Sequence, residues 1–397
     1  MLLLKFIKIV FFVFFQFLVF ADGNHASPGV ILAGGNLSNT TDGDASDGDS
    51  LNPNGGHRIV VTDFYEGNPV IGENNIIYSS ELFRGGNGAL TVNNSTAAHG
   101  GSGLYIQSII DEVNLNVTNA IFAGGSGGIN FNLSGNTFGS SGHGIEWDIG
   151  DSNSSSLSLT GSVVSNGIFI SASESSILDL SYTNTTIFGG IDKGGEGDLF
   201  INDRDENSLN DLDIQDGSVI FKDYLTIGSE EQISLSSQNS MIIASNGLNL
   251  VGIVSGSGSI EVYNDMMLSG DLSGGLSINL SSVSNSVTLQ NGYNVLDTTF
   301  NGNSLNDSLI LEDNGVYNAQ ILGIGGTFQN FENILLSSSD DVWESETNFN
   351  YLVDGGDGND MFAFNLSTNY SINDFIQITN NIIGFESYGL STGDDIW

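Results

Sequence analysis

From about residue 57 onward, the chain consists of short segments in which apolar and polar residues alternate. Two examples are VNLNV at 113–117 and LSINL at 276–280. Alternation with a period of two is typical of a β-strand that buries one of its faces. The last of the 3 prolines is Pro69, and a long proline-free stretch suits strands that use every backbone N–H in pairing. This pattern predicts an all-β fold.

Glycine clusters separate the alternating segments. Among them are RGGNG at 84–88, GGSG at 100–103, GGSGG at 124–128 and SGHG at 141–144. Spacings of 25, 16 and 23 residues separate the apolar residues that follow such clusters, which are Leu104, Ile129, Ile145 and Ile168. A coil of this size in a parallel β-helix (β-solenoid) carries short strands joined by tight turns, and we attribute the glycines to corners with positive φ. The competing all-β fold, a β-sandwich, does not account for this spacing.

The N-terminal segment has the features of a signal peptide. Lys5 and Lys8 precede an apolar run at 9–20, and Val19 and Ala21 are small residues at the two cleavage positions. The run is shorter than the ~20 residues that span a membrane, so we interpret 1–21 as a cleaved signal rather than an anchor. Residues 22–56, rich in Gly, Asn and Asp, are interpreted as an acidic linker.

Charge restricts the range of partners. The chain has 7 Lys and Arg against 47 Asp and Glu, a formal net charge of −40. Binding of nucleic acid requires clustered cations, so we exclude nucleic acid as a partner. A large negative charge favours solubility and attracts divalent cations. The chain has no Cys, which excludes a disulfide framework.

The C-terminal part, residues 327–397, repeats itself at an offset of 54 residues. FENILLSSSDDVW at 331–343 and FESYGLSTGDDIW at 385–397 share Phe, Glu, Leu, Ser, both Asp and Trp in register. We therefore expect Phe331 and Phe385 at equivalent coil positions, after a solenoid that covers 57–326. Because Trp397 aligns with Trp343, which is followed by more chain, we expect the sequence to stop within a repeat of a longer protein.

The region from about Phe83 to Trp397 resembles the passenger of a bacterial autotransporter or a related large surface adhesin. The resemblance is carried by the glycine-rich corners, GSGSIEV at 256–262, NDSLIL at 306–311 and FQNFENI at 328–334. It implies a parallel β-helix at the cell surface of a Gram-negative-type bacterium, with a glycan or protein of a host or neighbouring cell as partner. The outer membrane is implied as a partner only if a translocator barrel follows Trp397.

The segment GGDGNDMF at 355–362 matches the G-G-x-G-x-D-x-U pattern and resembles the calcium-binding repeats of secreted RTX proteins. In that family, turn carbonyls and the aspartate at the sixth position ligate Ca²⁺, which makes Gly355, Asp357 and Asp360 the candidate ligands here. Hard oxygen ligands suit this ion. Consecutive copies of the motif are absent, so a corner turn with a surface aspartate is the alternative interpretation.

No catalytic constellation stands out, and we expect no enzymatic activity. Beyond the leader, the strong bases are Arg58, Arg84, Lys193, Arg204 and Lys222, fewer than a groove for an acidic polysaccharide normally collects. The 4 His are scattered and, without Cys, form no zinc pattern.

The sequence therefore favours a secreted or surface-displayed module with an adhesin-like or structural role. The alternative is a calcium-dependent polysaccharide lyase or glycoside hydrolase on a β-helix scaffold. Trp147, Trp343 and Trp397 are interpreted as packing residues rather than platforms for sugars.

Overall fold

A computed structural model describes most of the chain. The described residues are 30–32, 35–38, 46–48, 54, 56–62, 64–65, 68–69, 74–78, 82–89, 91–92, 98–108, 112–131, 137–138, 140–150, 154–204, 211–281, 284–290, 293–303, 306–313, 315–317, 319–322, 327–345, 351–364 and 381–389. The predicted signal peptide and Trp397 lie outside them. The chain divides into two compact units between Gly217 and Ser218. The boundary at 326/327, where the repeats begin, stays a prediction.

The described part of the first unit is built of short strands. They are β1 (Val30–Leu32), β2 (Gly35–Ser38), β3 (Ile59–Thr62), β4 (Phe64–Tyr65), β5 (Asn68–Pro69), β6 (Asn74–Tyr78), β7 (Leu82–Arg84), β8 (Thr91–Val92), β9 (Leu104–Ser108), β10 (Val113–Thr118), β11 (Ile121–Ala123), β12 (Ile129–Phe131), β13 (Thr137–Phe138), β14 (Ile145–Ile149), β15 (Ser154–Thr160), β16 (Val163–Ser165), β17 (Ile168–Ala172), β18 (Ile177–Thr183), β19 (Thr186–Ile187), β20 (Ile191–Gly194), β21 (Asp198–Arg204) and β22 (Asp211–Ile214).

These strands stack in parallel, coil upon coil. Within the unit, sheet A has the order β1-β3-β9-β14-β17-β20-β22, sheet B the order β2-β6-β10-β15-β18-β21, and sheet C the order β7-β11-β16-β19. Ile145 pairs with Ile168, and Ile168 pairs with Ile191, so each of these coils is 23 residues long. The described antiparallel pairs are β4 with β5 and β12 with β13. The predicted parallel β-helix is confirmed.

Register turns the alternation of the sequence into continuous columns. Leu104, Ile145, Ile168, Ile191 and Leu212 lie one above another on sheet A, and all are buried. A shift by one residue would expose the whole column, so burial fixes the register.

The predicted linker at 22–56 is not only a linker. It contains β1, which pairs with β3, and β2, which pairs with β6. In addition, the Asp47 carboxylate accepts a hydrogen bond of 2.7 Å from the backbone N–H of Asn87. Residues 30–38 contain short apolar stretches next to glycines, as the later coils do. The prediction of a linker relied instead on the acidic composition of the whole segment.

Four glycine clusters of the first unit have a role that differs from the predicted one. Four extended segments, 85–89, 98–103, 124–128 and 140–144, lie side by side, and none of their glycines has a positive φ. Their backbones are hydrogen-bonded directly, for example from Gly125 N to Gly101 O at 2.8 Å and from Gly142 N to Gly125 O at 2.9 Å. A Cβ atom on Gly124 would overlap the carbonyl oxygen of Gly142. Glycine is required here by the close approach of backbones.

Other corners do follow the prediction. Gly195 has φ of 78° and Gly256 has φ of 122°, a region that side chains of L-residues rarely adopt. Asn119, Gly161 and Asn184 take the same left-handed conformation at one corner of three successive coils, with φ of 59°, 60° and 49°.

The described part of the second unit is also strand-rich. Its elements are β23 (Ser218–Phe221), β24 (Leu225–Ile227), β25 (Gln232–Leu235), β26 (Met241–Ala244), β27 (Leu248–Leu250), β28 (Ile253–Gly256), β29 (Ser259–Val262), β30 (Met266–Leu268), β31 (Asp271–Ser273), β32 (Ser277–Leu280), β33 (Ser286–Leu289), β34 (Asn294–Leu296), β35 (Thr299–Asn301), β36 (Ser308–Leu311), β37 (Val316–Tyr317), α1 (Ala319–Leu322), β38 (Phe328–Gln329), β39 (Asn333–Leu335), β40 (Val342–Ser345), β41 (Leu352–Asp354), β42 (Met361–Phe364), β43 (Ile382–Ile383) and β44 (Ser387–Gly389).

The coil of the second unit changes along the chain. Sheet D has the order β25-β28-β31-β34, sheet E β23-β26-β29-β32-β35-β38, sheet F β24-β27-β30-β33-β36-β39-β41-β43, and sheet G β37-β40-β42-β44. Up to β36, successive strands visit sheets D, E and F in turn. From β39 to β44 they alternate between sheets F and G only, and Asn333 pairs with Leu352, 19 residues later. A three-sheet coil thus becomes a two-sheet coil.

The interior of the second unit is also built from columns of apolar side chains on paired strands. Leu248, Met266, Val287, Leu309 and Ile334 form one buried column of sheet F. Within the described part of the chain, no helix is long and apolar enough to cross a membrane.

Both described tryptophans belong to the interior. Trp147 is fully buried, and its Nε1–H donates to Ser155 Oγ at 3.1 Å. Trp343 is buried between Tyr317 and Phe362 in a column of sheet G. Their predicted role as packing residues is confirmed, and Trp397 lies outside the described residues.

Candidate functional site

The GGDGND motif forms the turn between β41 and β42. Gly356 and Gly358 have φ of 87° and 143°, so the turn depends on glycine at both positions. Of the three predicted calcium ligands, Gly355 and Asp360 are buried and adjacent, because a Cβ atom on Gly355 would lie 3.0 Å from Asp360 Oδ2. Asp357 is exposed on the turn. The structure therefore brings Gly355 and Asp360 together, and Asp360 is not a surface aspartate.

Asp360 connects three successive corners. Its Oδ1 accepts a hydrogen bond of 2.8 Å from the backbone N–H of Asp341. Its own N–H donates to Glu386 Oε2 at 2.8 Å, and its carbonyl oxygen accepts from the N–H groups of Glu386 and Ser387 at 3.1 Å. The Asp360 carboxylate thus accepts the N–H of Asp341, a hydrogen bond that a backbone carbonyl would accept within a strand.

The same arrangement recurs at two other corners. Asp341 Oδ1 accepts from the N–H of Gly315 at 2.7 Å. Asp307 Oδ1 accepts from the N–H of Asn285 at 2.8 Å, and the Asp307 N–H donates to Glu332 Oε2 at 3.0 Å. We call the series Asp307–Glu332 and Asp341–Asp360–Glu386 the carboxylate ladder. Each carboxylate in it accepts the backbone N–H of the corner before it.

The carboxylate ladder accounts for one recurring residue of the 54-residue repeat, the glutamate that follows each phenylalanine. Phe331 precedes Glu332 and Phe385 precedes Glu386, and each glutamate makes the same hydrogen bonds with the aspartate of the corner before it. The strands that follow, β39 and β44, nevertheless belong to sheets F and G respectively. The expected equivalence of Phe331 and Phe385 therefore holds for the local turn and not for the sheet that the turn leads into.

Hydroxyl groups perform the same function in the first unit. Ser162 Oγ accepts from the N–H of Ala120, and Thr185 Oγ1 accepts from the N–H of Ser162, both at 3.3 Å. Ser162 and Thr185 are buried, as are the aspartates of the ladder. A polar residue at an inward corner position is thus a partner for the coil before it.

Asp360 differs from the other ladder aspartates in one atom. Both carboxylate oxygens of Asp341 are occupied, since Oδ2 accepts from the N–H and Oγ–H of Ser337 at 2.9 and 2.7 Å. Asp360 Oδ2 is buried without a hydrogen-bond partner among the described residues. Gly356 stands where Ser337 does, four residues before the aspartate, but its N–H donates to Asp354 Oδ1 at 3.1 Å. One carboxylate oxygen is therefore left free inside the corner.

The pKa of Asp360 is raised above its usual value, first by burial. The N–H of Asp341 lowers this pKa, whereas the carboxylates of Asp341, Glu386 and Asp340 raise it further. Because the pKa is higher in the folded protein than in the unfolded chain, the folded protein gains stability as pH falls through the raised pKa. When Asp360 is ionised, the folded protein bears the cost of a buried carboxylate with one free oxygen.

A calcium ion requires more oxygen ligands than Asp360 alone supplies, about six to eight. Among the described residues, no group of three or more His, Cys, Asp or Glu side chains is placed to hold a metal ion. The free Oδ2 of Asp360 and the turn backbone are the features of this corner that fit a hard cation.

Lys193 is a buried base, and its burial was not predicted from the sequence. Its Nζ donates to the carbonyl oxygens of Gly195 and Asp216 at 2.5 and 2.6 Å, and it lies between Ile170 and Ile214 in an otherwise apolar column. Burial lowers its pKa from 10.5 to about 8, although nearby carboxylates oppose this shift. The alternation in Ile191-Asp192-Lys193 was the available signal, because it places Lys193 at an inward position.

No protein-family model, curated protein or solved structure matches this chain.

The carboxylate ladder makes a prediction about two aspartates with the same chemistry. In the presence of a chelator at neutral pH, we expect Asp341→Asn to lower the free energy of unfolding by about 2 kcal/mol, because an amide N–H₂ then faces donors. Asp360→Asn should cost less, because its Oδ1 still accepts the N–H of Asp341 and a buried charge is removed.

Thermal unfolding at several pH values measures both effects. The Asp360→Asn variant should also gain less stability than the wild type on acidification. Equal losses in the two variants, with unchanged pH dependence, would contradict the assignment of the free oxygen to Asp360.

Proposed function

We propose that this chain is a secreted or surface-displayed β-helical module with an adhesin-like or structural role and no enzymatic activity. The observation that carries the proposal is the registered stacking of coils. Buried columns and hydrogen bonds between corners stabilise the scaffold, whereas the residues on its outer face differ from coil to coil. Such a scaffold presents an extended surface whose outward side chains are free to serve recognition. The leader-like N-terminus and the net charge of −40 support export of a soluble module.

The partner that we propose is a glycan or protein on a host or neighbouring cell. Outward columns offer polar groups to such a partner, for example Asn116, Ser158 and Ser181 on sheet B. The alternative, cleavage of acidic polysaccharides, is disfavoured because Arg58 and Lys193, two of the few strong bases, are buried. An anionic sugar chain requires cations on the surface.

Surface display can be tested on intact cells of the source bacterium. Antibodies against residues 211–281 should label intact cells, and external protease should abolish the labelling while a cytoplasmic marker stays intact. Labelling that requires cell lysis would contradict the proposed location.

We further propose that the Asp360 corner binds calcium. The free, buried Oδ2 of Asp360 and the adjacent Gly355 are the observations that favour this site. A bound cation would supply the partner that this oxygen lacks and would offset the repulsion among the carboxylates around it.

Thermal unfolding of the wild type, Asp360→Ala and Glu230→Ala, in calcium, magnesium or matched sodium chloride, tests the calcium site. Glu230 is an exposed acid of the same unit, so its variant controls for the loss of one charge. At a hundredfold excess over the dissociation constant, calcium should stabilise the wild type and Glu230→Ala by about 2.7 kcal/mol. Asp360→Ala should lose most of this effect, and magnesium should replace calcium poorly.

Equal shifts of all three proteins in every salt would show general screening and would overturn the calcium site. They would leave the proposed surface display unaffected.

A further inference from the structure

An ordered column of aromatic and acidic side chains lies on the outward face of sheet A in the first unit. In the registered strands, Tyr105, which is buried and stacked on His57, is followed by Glu146, then Phe169, Asp192 and Asp213, one on each coil. Neighbouring parallel strands are about 4.8 Å apart, so Glu146 and Asp192 stand on either side of Phe169, roughly 10 Å from each other. We call Glu146, Phe169 and Asp192 the acid–aromatic triplet.

The triplet is partly accessible and held in place. Its three residues alternate with fully buried neighbours such as Trp147 and Ile170, and each is only partly buried. Glu146 Oε2 accepts a hydrogen bond of 2.5 Å from Ser102 Oγ. The Phe169 ring is stacked with His143, with 5.1 Å between ring centroids and an angle of 18° between ring planes.

Asp192 is an electrostatically strained member of the triplet. Burial raises its pKa, the Asp213 carboxylate on the next coil raises it further, and His143 opposes the shift. A cation next to Asp192 would offset the cost of desolvation and the repulsion from Asp213.

The chain itself does not supply that cation from the adjacent lysine. Lys193 follows Asp192 directly, but its side chain points inward and its Nζ is bound to the carbonyl oxygens of Gly195 and Asp216. With 7 Lys and Arg against 47 Asp and Glu, the whole molecule attracts cationic partners. Two histidines of the chain lie against the triplet: His57 Nδ1 is 3.9 Å from Glu146 Oε2, and His143 interacts electrostatically with Asp192. A guanidinium group, unlike imidazole, is charged at every physiological pH, so charge complementarity points to a basic ligand from outside.

We propose that the acid–aromatic triplet binds an arginine side chain of a partner polypeptide, with the guanidinium group against Phe169 and its N–H groups donating to Glu146 and Asp192. Arginine fits better than lysine because its planar guanidinium stacks on aromatic rings and donates to two carboxylates at once. This inference names a ligand for the proposed display module. It rests on the proposed function only in placing the partner polypeptide outside the cell.

Binding of short peptides to the purified chain tests the proposal. The probes are fluorescent tetra-arginine, tetra-lysine and tetra-citrulline peptides and a neutral oligosaccharide, measured at low and physiological salt. The variants are Phe169→Leu, Asp192→Asn and the control Glu174→Gln, an exposed acid in the turn after β17. Thermal unfolding of each variant verifies that it is folded.

We expect the arginine peptide to bind more tightly than the lysine peptide and the citrulline peptide to bind negligibly. Asp192→Asn should weaken arginine binding about tenfold, and Phe169→Leu should remove the preference for arginine over lysine. Glu174→Gln should leave both unchanged.

Three results would overturn the proposal. They are equal weakening by all three substitutions, which indicates general attraction to an acidic surface, undetectable binding of the arginine peptide, and binding of the neutral oligosaccharide that depends on Phe169. None of them bears on surface display, because the experiment uses the isolated protein.

Discussion

Each coil of this protein must satisfy the backbone hydrogen-bonding groups of the next coil at a spacing of about 4.8 Å. In the strands the backbones pair directly, so each residue lies above its counterpart and the columns follow. At the corners, backbone geometry interrupts the pairing, and another group has to take the place of the missing carbonyl or N–H. The positions of the polar residues and of the glycines in the interior follow from this requirement.

Corners solve the problem in three ways. Ser162 and Thr185 provide hydroxyl oxygens, the carboxylate ladder provides aspartate and glutamate oxygens, and Lys193 provides N–H donors to carbonyl groups. Burying a charged group costs free energy unless it is hydrogen-bonded. This explains why Asp341, with both oxygens occupied, is an ordinary structural acceptor, while Asp360, with one oxygen free, is the position where a ligand would stabilise the fold.

Much of the fold could be predicted from the sequence, because alternation records which residues point inward. The segments around Val113 and Leu276 are strands with the predicted burial, and Trp147 and Trp343 pack inside. Corner chemistry was harder to predict, because it depends on contacts between coils. Sequence alone does not reveal that Asp360 is buried, or that the glycines at 85–88, 100–103, 124–128 and 142–144 permit a close approach of backbones without adopting positive φ.

The candidate sites were also only partly predictable from the sequence. The GGDGND motif was found from its spacing, but the carboxylate ladder became visible only when the registers of sheets F and G were known. In the same way, Glu146, Phe169 and Asp192 are 23 residues apart along the chain and become one surface only through pairing in sheet A. Regular coils thus bring residues that are distant in the sequence together in one site. Only positions that are not needed to fill the interior are available to form such sites.

The central claim, that coil-to-coil contact dictates which residues each position tolerates, is tested most directly by two glycine substitutions in the first unit. A Cβ atom on Gly124 would overlap the Gly142 carbonyl, whereas on Gly194 it would meet its nearest atoms at 3.6 Å. In thermal unfolding, Gly124→Ala should lower the free energy of unfolding by about 3 kcal/mol or more, and Gly194→Ala should change it by less than about 0.5 kcal/mol. Equal, small effects of the two substitutions would contradict the account.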